Sequence, residues 1–226
     1  MSLAMFDLDN TLLVGDSDYE WNNFLIEKGV LDAREFRQVN EAFLASYEDG
    51  TLDMEGFCRT IFSALRVHPI EVLKDLRATF IEERIRQTIA PQAPALLGGH
   101  RQRGDELIMV TATNDFVVEP IADLLGIETV LATRADIRDG RFTGELVGPP
   151  CFREGKIWHI ESYLEQSGRD PASVAAAAAF YTDSHNDLPL MEWVGEPVAV
   201  DPDDSLREYA HRAGWRVMSL RDGSAG

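Results

Sequence analysis

The sequence predicts an α/β fold, in which a parallel β-sheet forms the core and a mainly helical cap is inserted after the first strand. The first strand is expected in AMFDLD, residues 4–9. A long helical stretch follows, and from Gln92 short apolar runs alternate with helical segments, as in βαβ units. We therefore expect a core made of residues 1–15 and 90–226 and a cap made of residues 16–89.

The cap segment carries signals for the start of helices. Asp32 is a favourable N-cap because Glu35 follows three residues later, and Pro69 suits a first helical turn. The helices expected in the cap lie in DYEWNNFLIEKG, DAREFRQVNEAFLASYEDG, residues 53–65 and residues 69–88. Its aromatic residues are expected mainly in the core, with one or two of them lining the substrate entrance as the alternative; they are Trp21, Phe24, Phe36, Phe43 and Phe57.

The second part of the chain contains short apolar runs that end in polar residues, which indicates buried strands. The strands expected there lie in ELIMVTATN, IETVLATR, AAAFYTDSHND, EPVAVDP and WRVMSL. Between the second and third of these runs, RADIRDGRFTGEL contains an Asp139-Gly140 turn signal and predicts a small hairpin.

Composition and charge exclude several classes of function. Hydrophobic residues at 45% and charged residues at 27% are ordinary for a soluble globular protein. The formal net charge of -18 disfavours nucleic-acid and membrane-surface partners, and it requires local positive charge wherever an anion binds. Cys58 and Cys151 lack the spacing of a disulfide scaffold or zinc site. No apolar run approaches the ~18 residues of a membrane span, so we expect a cytoplasmic protein.

Charged and polar residues gather where several predicted strands end. Those at strand ends, together with one lysine at the start of a helix, are Asp7, Asp9, Thr111, Lys156, Asp183 and Asp187. In open parallel sheets ligands bind beyond the carboxyl ends of the strands. Two carboxylates 4 Å apart repel by about 4 kcal/mol at an effective dielectric constant near 20. One lysine cannot offset several such pairs, whereas Mg²⁺ can, and an aspartate beside it could attack a phosphate.

Four short motifs resemble the signature of the haloacid dehalogenase superfamily. They are DLDNT, the threonine of MVTAT, the lysine of REGK and TDSHNDLPLM, in that order. Their spacing is similar to that of the phosphoserine-phosphatase-like branch, and the resemblance extends from Ala4 to Leu220. D-x-D-x-T alone is a weak signal, but all four motifs in order are specific. The resemblance implies a Rossmann-like core with a helical cap.

The resemblance also implies catalytic roles. Asp7 would be the nucleophile, and Asp9 would protonate the leaving oxygen and then activate water. Thr111 and neighbouring backbone N–H groups, including that of Ala112, would bind the phosphoryl oxygens. Lys156 would neutralise Asp7 and the phosphate.

The same resemblance implies a magnesium site. Asp183 would bind the ion with Asp7 and the backbone carbonyl of Asp9, while Asp187 would support the ligand shell. Phosphoserine phosphatases usually have two small residues where this chain has Ser184-His185. This departure weakens any direct transfer of phosphoserine specificity.

Two further residues are candidates for substrate binding. Asp16 follows Asp7 by nine residues, near the position where phosphoserine-phosphatase-like proteins present a carboxylate to the substrate amine. It would then favour small esters with an ammonium group, such as phosphoserine or histidinol phosphate. The alternative is that Asp16 only caps the first helix. His185 either faces the substrate or is an exposed loop residue.

These features predict a magnesium-dependent phosphomonoesterase that acts on a small phosphate ester through a phosphoaspartyl intermediate. Phosphotransfer to a second alcohol, as in mutases, stays open. A phospho-acceptor signalling domain is disfavoured because Asp7 lies at the first strand and a cap follows it. A silent binding protein is disfavoured because none of the four motifs is missing. The substrate and the oligomeric state stay open.

Overall fold

A computed structural model describes residues 2–221 of the chain. Within them, six strands form one parallel sheet in the order β3-β2-β1-β6-β7-β8, and two more form an antiparallel hairpin. The strands are β1 Leu3–Phe6, β2 Glu106–Asn114, β3 Thr129–Thr133, β4 Ala135–Arg138, β5 Arg141–Leu146, β6 Ala179–Thr182, β7 Glu196–Val200 and β8 Arg216–Met218. The predicted α/β core and the β4–β5 hairpin are confirmed.

Successive side chains of β1 point to opposite faces of the sheet and are buried on both, as expected for a strand in its centre. Leu3 and Met5 pack into the hydrophobic cluster on one face of the sheet, and Ala4 and Phe6 pack into the cluster on the other. A strand buried on both faces reads as a continuous apolar run, which LAMF is. The run ends at Asp7, which therefore emerges at the carboxyl edge of the sheet.

Helices cover both faces of the sheet and also fill the long connection between β1 and β2. In the described residues they are α1 Ser17–Glu27, α2 Ala33–Glu48, α3 Met54–Leu65, α4 Ile70–Phe80, α5 Ala93–Arg103, α6 Asp115–Leu125, α7 Glu154–Gln166, α8 Pro171–Ala175, α9 Leu188–Trp193 and α10 Asp204–Ala213. The first four make the helical cap that the sequence predicts after the first strand. None of the helices within residues 2–221 has both the length and the apolar character that crossing a membrane requires.

Aspartate side chains begin the first three cap helices. Asp16, Asp32 and Asp53 each accept a hydrogen bond from a backbone N–H in the first turn of α1, α2 and α3. The predicted N-cap at Asp32 is thus confirmed. The fourth helix continues beyond Phe80 as irregular helical turns to Thr88, which matches the predicted end of the segment.

The cap and the core share one hydrophobic cluster. The β4–β5 hairpin packs on α3, where the rings of Phe62 and Phe142 stack with centroids 5.5 Å apart. At Gly144, where φ is +95°, an added Cβ would lie 2.7 Å from Oγ of Ser63, so this contact requires glycine. The cluster continues from these residues to Phe6 of β1. The cap is therefore held against the core by apolar packing as well as by the chain.

Candidate active site

The turn after β1 places two aspartates at the carboxyl edge of the sheet. The backbone N–H of Asp7 donates to the carbonyl of Tyr181 in β6, which holds Asp7 at the end of the strand pair. Asn10 adopts a left-handed conformation with φ of 53°, which asparagine tolerates better than most residues. This irregular turn, Leu8–Leu12, directs the chain toward the cap. Asp7 is buried, with 4% of its surface exposed.

Lys156 forms hydrogen bonds with Asp7, the candidate nucleophile, and with Asp187 of the TDSHND motif. It lies in the first turn of α7, it is only 1% exposed, and its Nζ donates to Oδ1 of Asp7 at 2.9 Å and to Oδ2 of Asp187 at 2.6 Å. Thr182 also donates to Oδ2 of Asp187, at 2.6 Å. Burial lowers the pKa of Lys156, but Asp187 and Asp7 raise it above its ordinary value. The lysine is therefore charged and fixed between two carboxylates.

The acidic groups around Lys156 outnumber it. Burial raises the pKa of Asp7 to about 7, and the effect of Asp187 adds to this, although Lys156 opposes it. Burial, Asp7 and Asp187 raise the pKa of Asp183 well above its usual range. Thr11 donates to Oδ1 of Asp183 at 3.1 Å. Three buried or partly buried carboxyl groups, those of Asp7, Asp183 and Asp187, thus lie around one lysine.

Two donors hold the carboxylate of Asp9. Its Oδ1 accepts from the backbone N–H of Ser17 at 2.6 Å, and its Oδ2 accepts from Oγ1 of Thr113 at 2.6 Å. Thr113 also donates through its backbone N–H to Oγ1 of Thr111 at 3.2 Å. Burial nevertheless raises the pKa of Asp9 above its ordinary value.

A narrow cavity between cap and core connects these groups. It has room of about 20 Å³, enough for about one water molecule. Its lining residues are Asp7, Asp9, Asn10, Asp16, Asp18, Phe43, Tyr47, Met54, Thr111, Ala112 and Thr113. The structure thus brings Asp7, Asp9, Thr111 and Ala112 to one cavity, as the motifs predict. Of the cap aromatics expected in the core, Phe43 also lines this cavity.

Asp16 and His185 both line a second cavity beside the first one. Oδ1 of Asp16 accepts from the backbone N–H of Tyr19 at 2.7 Å, so the side chain does cap α1, and it also lines the cavity. His185 is half-buried, and its Nδ1 lies 2.9 Å from Oδ2 of Asp203. It lines a neighbouring cavity together with Asp16 and Asp183.

Core residues next to the acidic motifs hold the end of α2. Arg153 donates to the backbone carbonyl of Gly50 and to Oδ1 of Asn186, and Asn186 donates to the backbone carbonyl of Tyr47 at 3.0 Å. The backbone of Arg153 has φ of 51° and ψ of -123°, values that favour glycine. We call Arg153 and Asn186 the cap clasp. It connects the REGK and TDSHND motifs to the cap.

The sequence analysis did not identify Asp18, which lines the same cavity as Asp9. Only 5% of Asp18 is exposed, and its Oδ1 accepts from Nδ2 of Asn114 at 2.9 Å. Burial, followed by the charge of Asp9, raises the pKa of Asp18 to about 8. The available signal was a second aspartate in GDSDYE, which is typical of the acidic first turn of a helix.

The residues present fit a hard divalent cation. Within residues 2–221 no three His, Cys, Asp or Glu side chains form a complete metal-ligating group. Magnesium does not need one, because it is commonly held by one or two carboxylates with water and phosphate oxygens. Burial and then the charge of Asp7 raise the pKa of Asp183, so these two carboxyl groups lie close enough to interact. Oδ1 of Asp7 accepts from Lys156, and Oδ1 of Asp183 accepts from Thr11. Each carboxylate would bind the ion through its other oxygen, Oδ2.

The cap inserted after β1 and the four motifs at one sheet edge define a class of capped α/β hydrolases. The sequence model of the haloacid dehalogenase-like hydrolases matches residues 4–192. The chain therefore belongs to this family, and it is a phosphatase.

Relatives of known name or structure extend over nearly the whole chain. A histidinol-phosphatase of Neisseria meningitidis serogroup C (strain 8013) is 38% identical over 97% of this chain and 99% of its own. A protein of unknown function from Bordetella pertussis Tohama I has a crystal structure with a TM-score of 0.90, at 40% identity over 97% of this chain and 98% of its own. A substrate-bound phosphoserine phosphatase shares the fold, with a TM-score of 0.69 at 22% identity over 98% and 94% of the two chains.

Proposed function

We propose that this protein is a magnesium-dependent phosphomonoesterase that hydrolyses a small amine-bearing phosphate ester through a phosphoaspartyl intermediate. The observation that carries the proposal is the contact of Asp7 with the buried Lys156, beside an Asp9 whose two oxygens are both held by donors. The two carboxylates have different partners, so the geometry supports different roles for them.

In the first half-reaction, an oxygen of Asp7 attacks phosphorus and the ester bond breaks. Lys156 holds Asp7 in place and offsets charge on the phosphoryl group. Asp9 donates its proton to the leaving alkoxide, which departs as an alcohol. The hydroxyl of Thr111 and the backbone N–H of Ala112 bind phosphoryl oxygens.

In the second half-reaction, Asp9 takes a proton from water, which attacks phosphorus. The bond between phosphorus and Asp7 breaks, inorganic phosphate leaves, and the Asp7 carboxylate is restored. Magnesium would be held by Asp7, Asp183 and the backbone carbonyl of Asp9, and when bound it supplies positive charge for the phosphoryl oxygens. Asp187 fixes Lys156 from its other side. We further propose that residues 16–89 act as the cap and that residues 1–15 and 90–226 act as the core.

The relative named histidinol-phosphatase supports an amine-bearing substrate, and histidinol phosphate and phosphoserine are the first two to test. Asp16 and His185, which line the neighbouring cavity, are proposed to contact the part of the substrate beyond the phosphate. The net charge of -18 also favours substrates that carry a cation.

Labelling with ³²P-phosphate ester tests the assignment. We expect Asp7→Asn to lose both turnover and labelling. Asp9→Asn should still be labelled by a substrate with a good leaving group, because general acid–base assistance is worth roughly 10²–10⁴-fold rather than the whole reaction. Equal labelling of the Asp7→Asn variant and the parent would refute the assignment of Asp7 as the nucleophile. Product analysis separates hydrolysis, which releases inorganic phosphate, from transfer to a second alcohol.

A further inference from the structure

The end of β2 departs from regular strand pairing where it reaches the site. Thr111 and Asn114 pair with two consecutive residues of β3, so the register shifts at Ala112 and Thr113, which lie between them. An irregularity of this kind redirects side chains, and such bulges are frequent beside active sites. The last residues of β2 can therefore direct their side chains to partners that a regular strand would not reach.

The hydroxyl group of Thr113 contacts the proposed general acid–base. Its Oγ1 donates to Oδ2 of Asp9 at 2.6 Å, and only 3% of Thr113 is exposed. Threonine is branched at Cβ and its χ1 angle is restricted, so the backbone of the bulge fixes where this hydroxyl lies. A hydrogen bond to an ionised carboxylate is also stronger than one between neutral groups. Thr113 is thus a rigid donor to Asp9.

Asp9 has a second donor, which belongs to a different part of the fold. The backbone N–H of Ser17, the first residue of α1, donates to Oδ1 of Asp9 at 2.6 Å. Any movement of the cap helices would carry Ser17 with it. Thr113 instead lies in β2, which pairs directly with β1, the strand that leads into Asp9. Thr113 is consequently the donor that stays with Asp9 in every position of the cap.

We propose that Thr113 is a positioning residue, whose hydroxyl group fixes the carboxyl group of Asp9 in the orientation needed for both proton transfers. The inference rests on the proposed phosphomonoesterase function. The two oxygens of a carboxylate offer about four acceptor positions, so the bonds from Ser17 and Thr113 leave positions that exchange a proton with the leaving oxygen and with water. Orientation matters because a misplacement of about 1 Å can cost about 10²-fold in rate.

Thr113→Val removes this hydroxyl group with little change in shape. The backbone N–H of Thr113 donates to Oγ1 of Thr111 at 3.2 Å, and valine keeps that bond, so the proposed phosphate-binding threonine is undisturbed. We expect kcat/KM for 2-hydroxyethyl phosphate to fall by about ten- to a hundredfold, the range of a hydrogen bond to a charged group. The inhibition constant of inorganic phosphate should stay unchanged. Thr113→Ser, which keeps a hydroxyl group, should recover most of the loss.

A double-mutant cycle tests whether Thr113 acts through Asp9. Turnover of an aryl phosphate includes hydrolysis of the phosphoenzyme, for which Asp9 must take a proton from water, so Thr113→Val should lower kcat in the parent. The Asp9→Asn background has no carboxyl group to position. There, adding Thr113→Val should change kcat by less than about twofold. A loss of the same size in both backgrounds would show that the hydroxyl group does not act through Asp9, and would overturn the proposal.

Thr143→Val is the matched control, because Oγ1 of Thr143 also donates to an aspartate, at 3.0 Å from Oδ2 of Asp136, but in the β4–β5 hairpin. It should leave kcat/KM unchanged. An active parent whose kcat/KM is unchanged in Thr113→Val would overturn the proposal alone. Equal losses in Thr113→Val and Thr113→Ser, with a lower Tm, would make Thr113 a structural residue and overturn it too. A parent that hydrolyses no phosphate ester would overturn the proposed function, and this inference with it.

Discussion

Asp18 shows how burial controls the protonation of one residue. Its pKa is raised from 3.8 to about 8 by burial and by Asp9, so the folded protein retains a proton that the unfolded chain releases. A raised pKa of an acid favours folding at low pH, and this contribution is lost as pH rises from about 4 to about 8. Asn114 donates to Asp18, and the carboxyl group of Asp16 and the thiol of Cys58 also lie close enough to interact with it.

We therefore predict that Asp18→Asn flattens the pH dependence of stability. The asparagine side chain cannot ionise. The free energy of unfolding of the variant, minus that of the parent, should therefore increase at each step from pH 5 to pH 8. Urea unfolding in a chelating buffer measures this. A variant that loses more stability at pH 8 than at pH 5 would show that Asp18 is ionised in the fold.

At the scale of single residues, strand position made part of the site predictable. Asp7, Asp9 and Asp183 lie within three residues of the end of an apolar run, and a carboxylate at the end of a buried strand needs a compensating charge. Asp18 and Thr113 lack such a signal. Their roles depend on contacts across 96 and 104 residues of chain, with Asn114 and Asp9 respectively. Local pattern carries no information about such partners.

At the scale of elements, the start of α7 depends on a close approach that only glycine permits. At Gly155 an added Cβ would lie 2.0 Å from the carbonyl oxygen of Pro150, so α7 would have to move, and Lys156 is the next residue. We predict that Gly155→Ala lowers the free energy of unfolding by about 1–3 kcal/mol, as overpacking does, and lowers kcat because Lys156 is displaced from Asp7.

Urea unfolding and aryl phosphate turnover measure both effects. Gly98→Ala in α5 is the control, because nothing lies within 4 Å of its added Cβ. It should be neutral or stabilising by up to about 1 kcal/mol, since alanine is the better helix former. Normal turnover in Gly155→Ala would show that α7 shifts without moving Lys156.

The cap clasp joins the end of α2 to the REGK and TDSHND motifs. The space above Asp7 holds about one water molecule, so a substrate can enter only if lining residues move, and these include Phe43 and Tyr47 of α2. We predict that Arg153→Gly favours the open cap, because it removes the hydrogen bonds to Gly50 and Asn186 while glycine suits the backbone φ of 51°. KM should rise, and amide hydrogen exchange should increase around residues 43–50.

Arg212→Ala provides the comparison, because this exposed arginine of α10 pairs only weakly with Glu208 at 3.8 Å. It should leave both KM and exchange unchanged. Unchanged exchange at the end of α2 in Arg153→Gly would show that apolar packing alone closes the cap.

Elements were more predictable than the contacts between them. The run ELIMVTATN is a strand over its full length, Glu106–Asn114, and the Asp139-Gly140 turn does connect two strands. Periodicity and turn chemistry are local, so a sequence displays them. The packing of the hairpin on α3 and the clasp on α2 are set by distant residues, and sequence reasoning identified neither.

At the scale of the whole molecule, the proposed magnesium site would make stability depend on the bound ion. We predict that Mg²⁺ raises Tm, because an ion that binds only the folded state stabilises it by mass action. A concentration of a hundred times Kd corresponds to about 2.7 kcal/mol. Scanning calorimetry with Mg²⁺ and with chelator measures the shift, and aryl phosphate hydrolysis should disappear with chelator.

Asp183→Asn should reduce the shift in Tm, because it removes one proposed ligand, whereas Asp53→Asn at the exposed start of α3 should not. Ca²⁺ should support turnover poorly, since its looser and higher coordination tends to occupy both oxygens of Asp7. The same Tm with and without Mg²⁺ would contradict the proposed site.

The order of the strands has a consequence for synthesis of the chain. β1 lies between β2 and β6, so one edge of this apolar strand is completed only when residues 179–182 have been made. Until then the nascent chain exposes an unpaired hydrophobic edge, which is prone to aggregation. Ribosome-bound chains arrested before β6 has emerged should therefore be protease-sensitive and should recruit chaperones, whereas chains arrested after β7 has emerged should resist proteolysis.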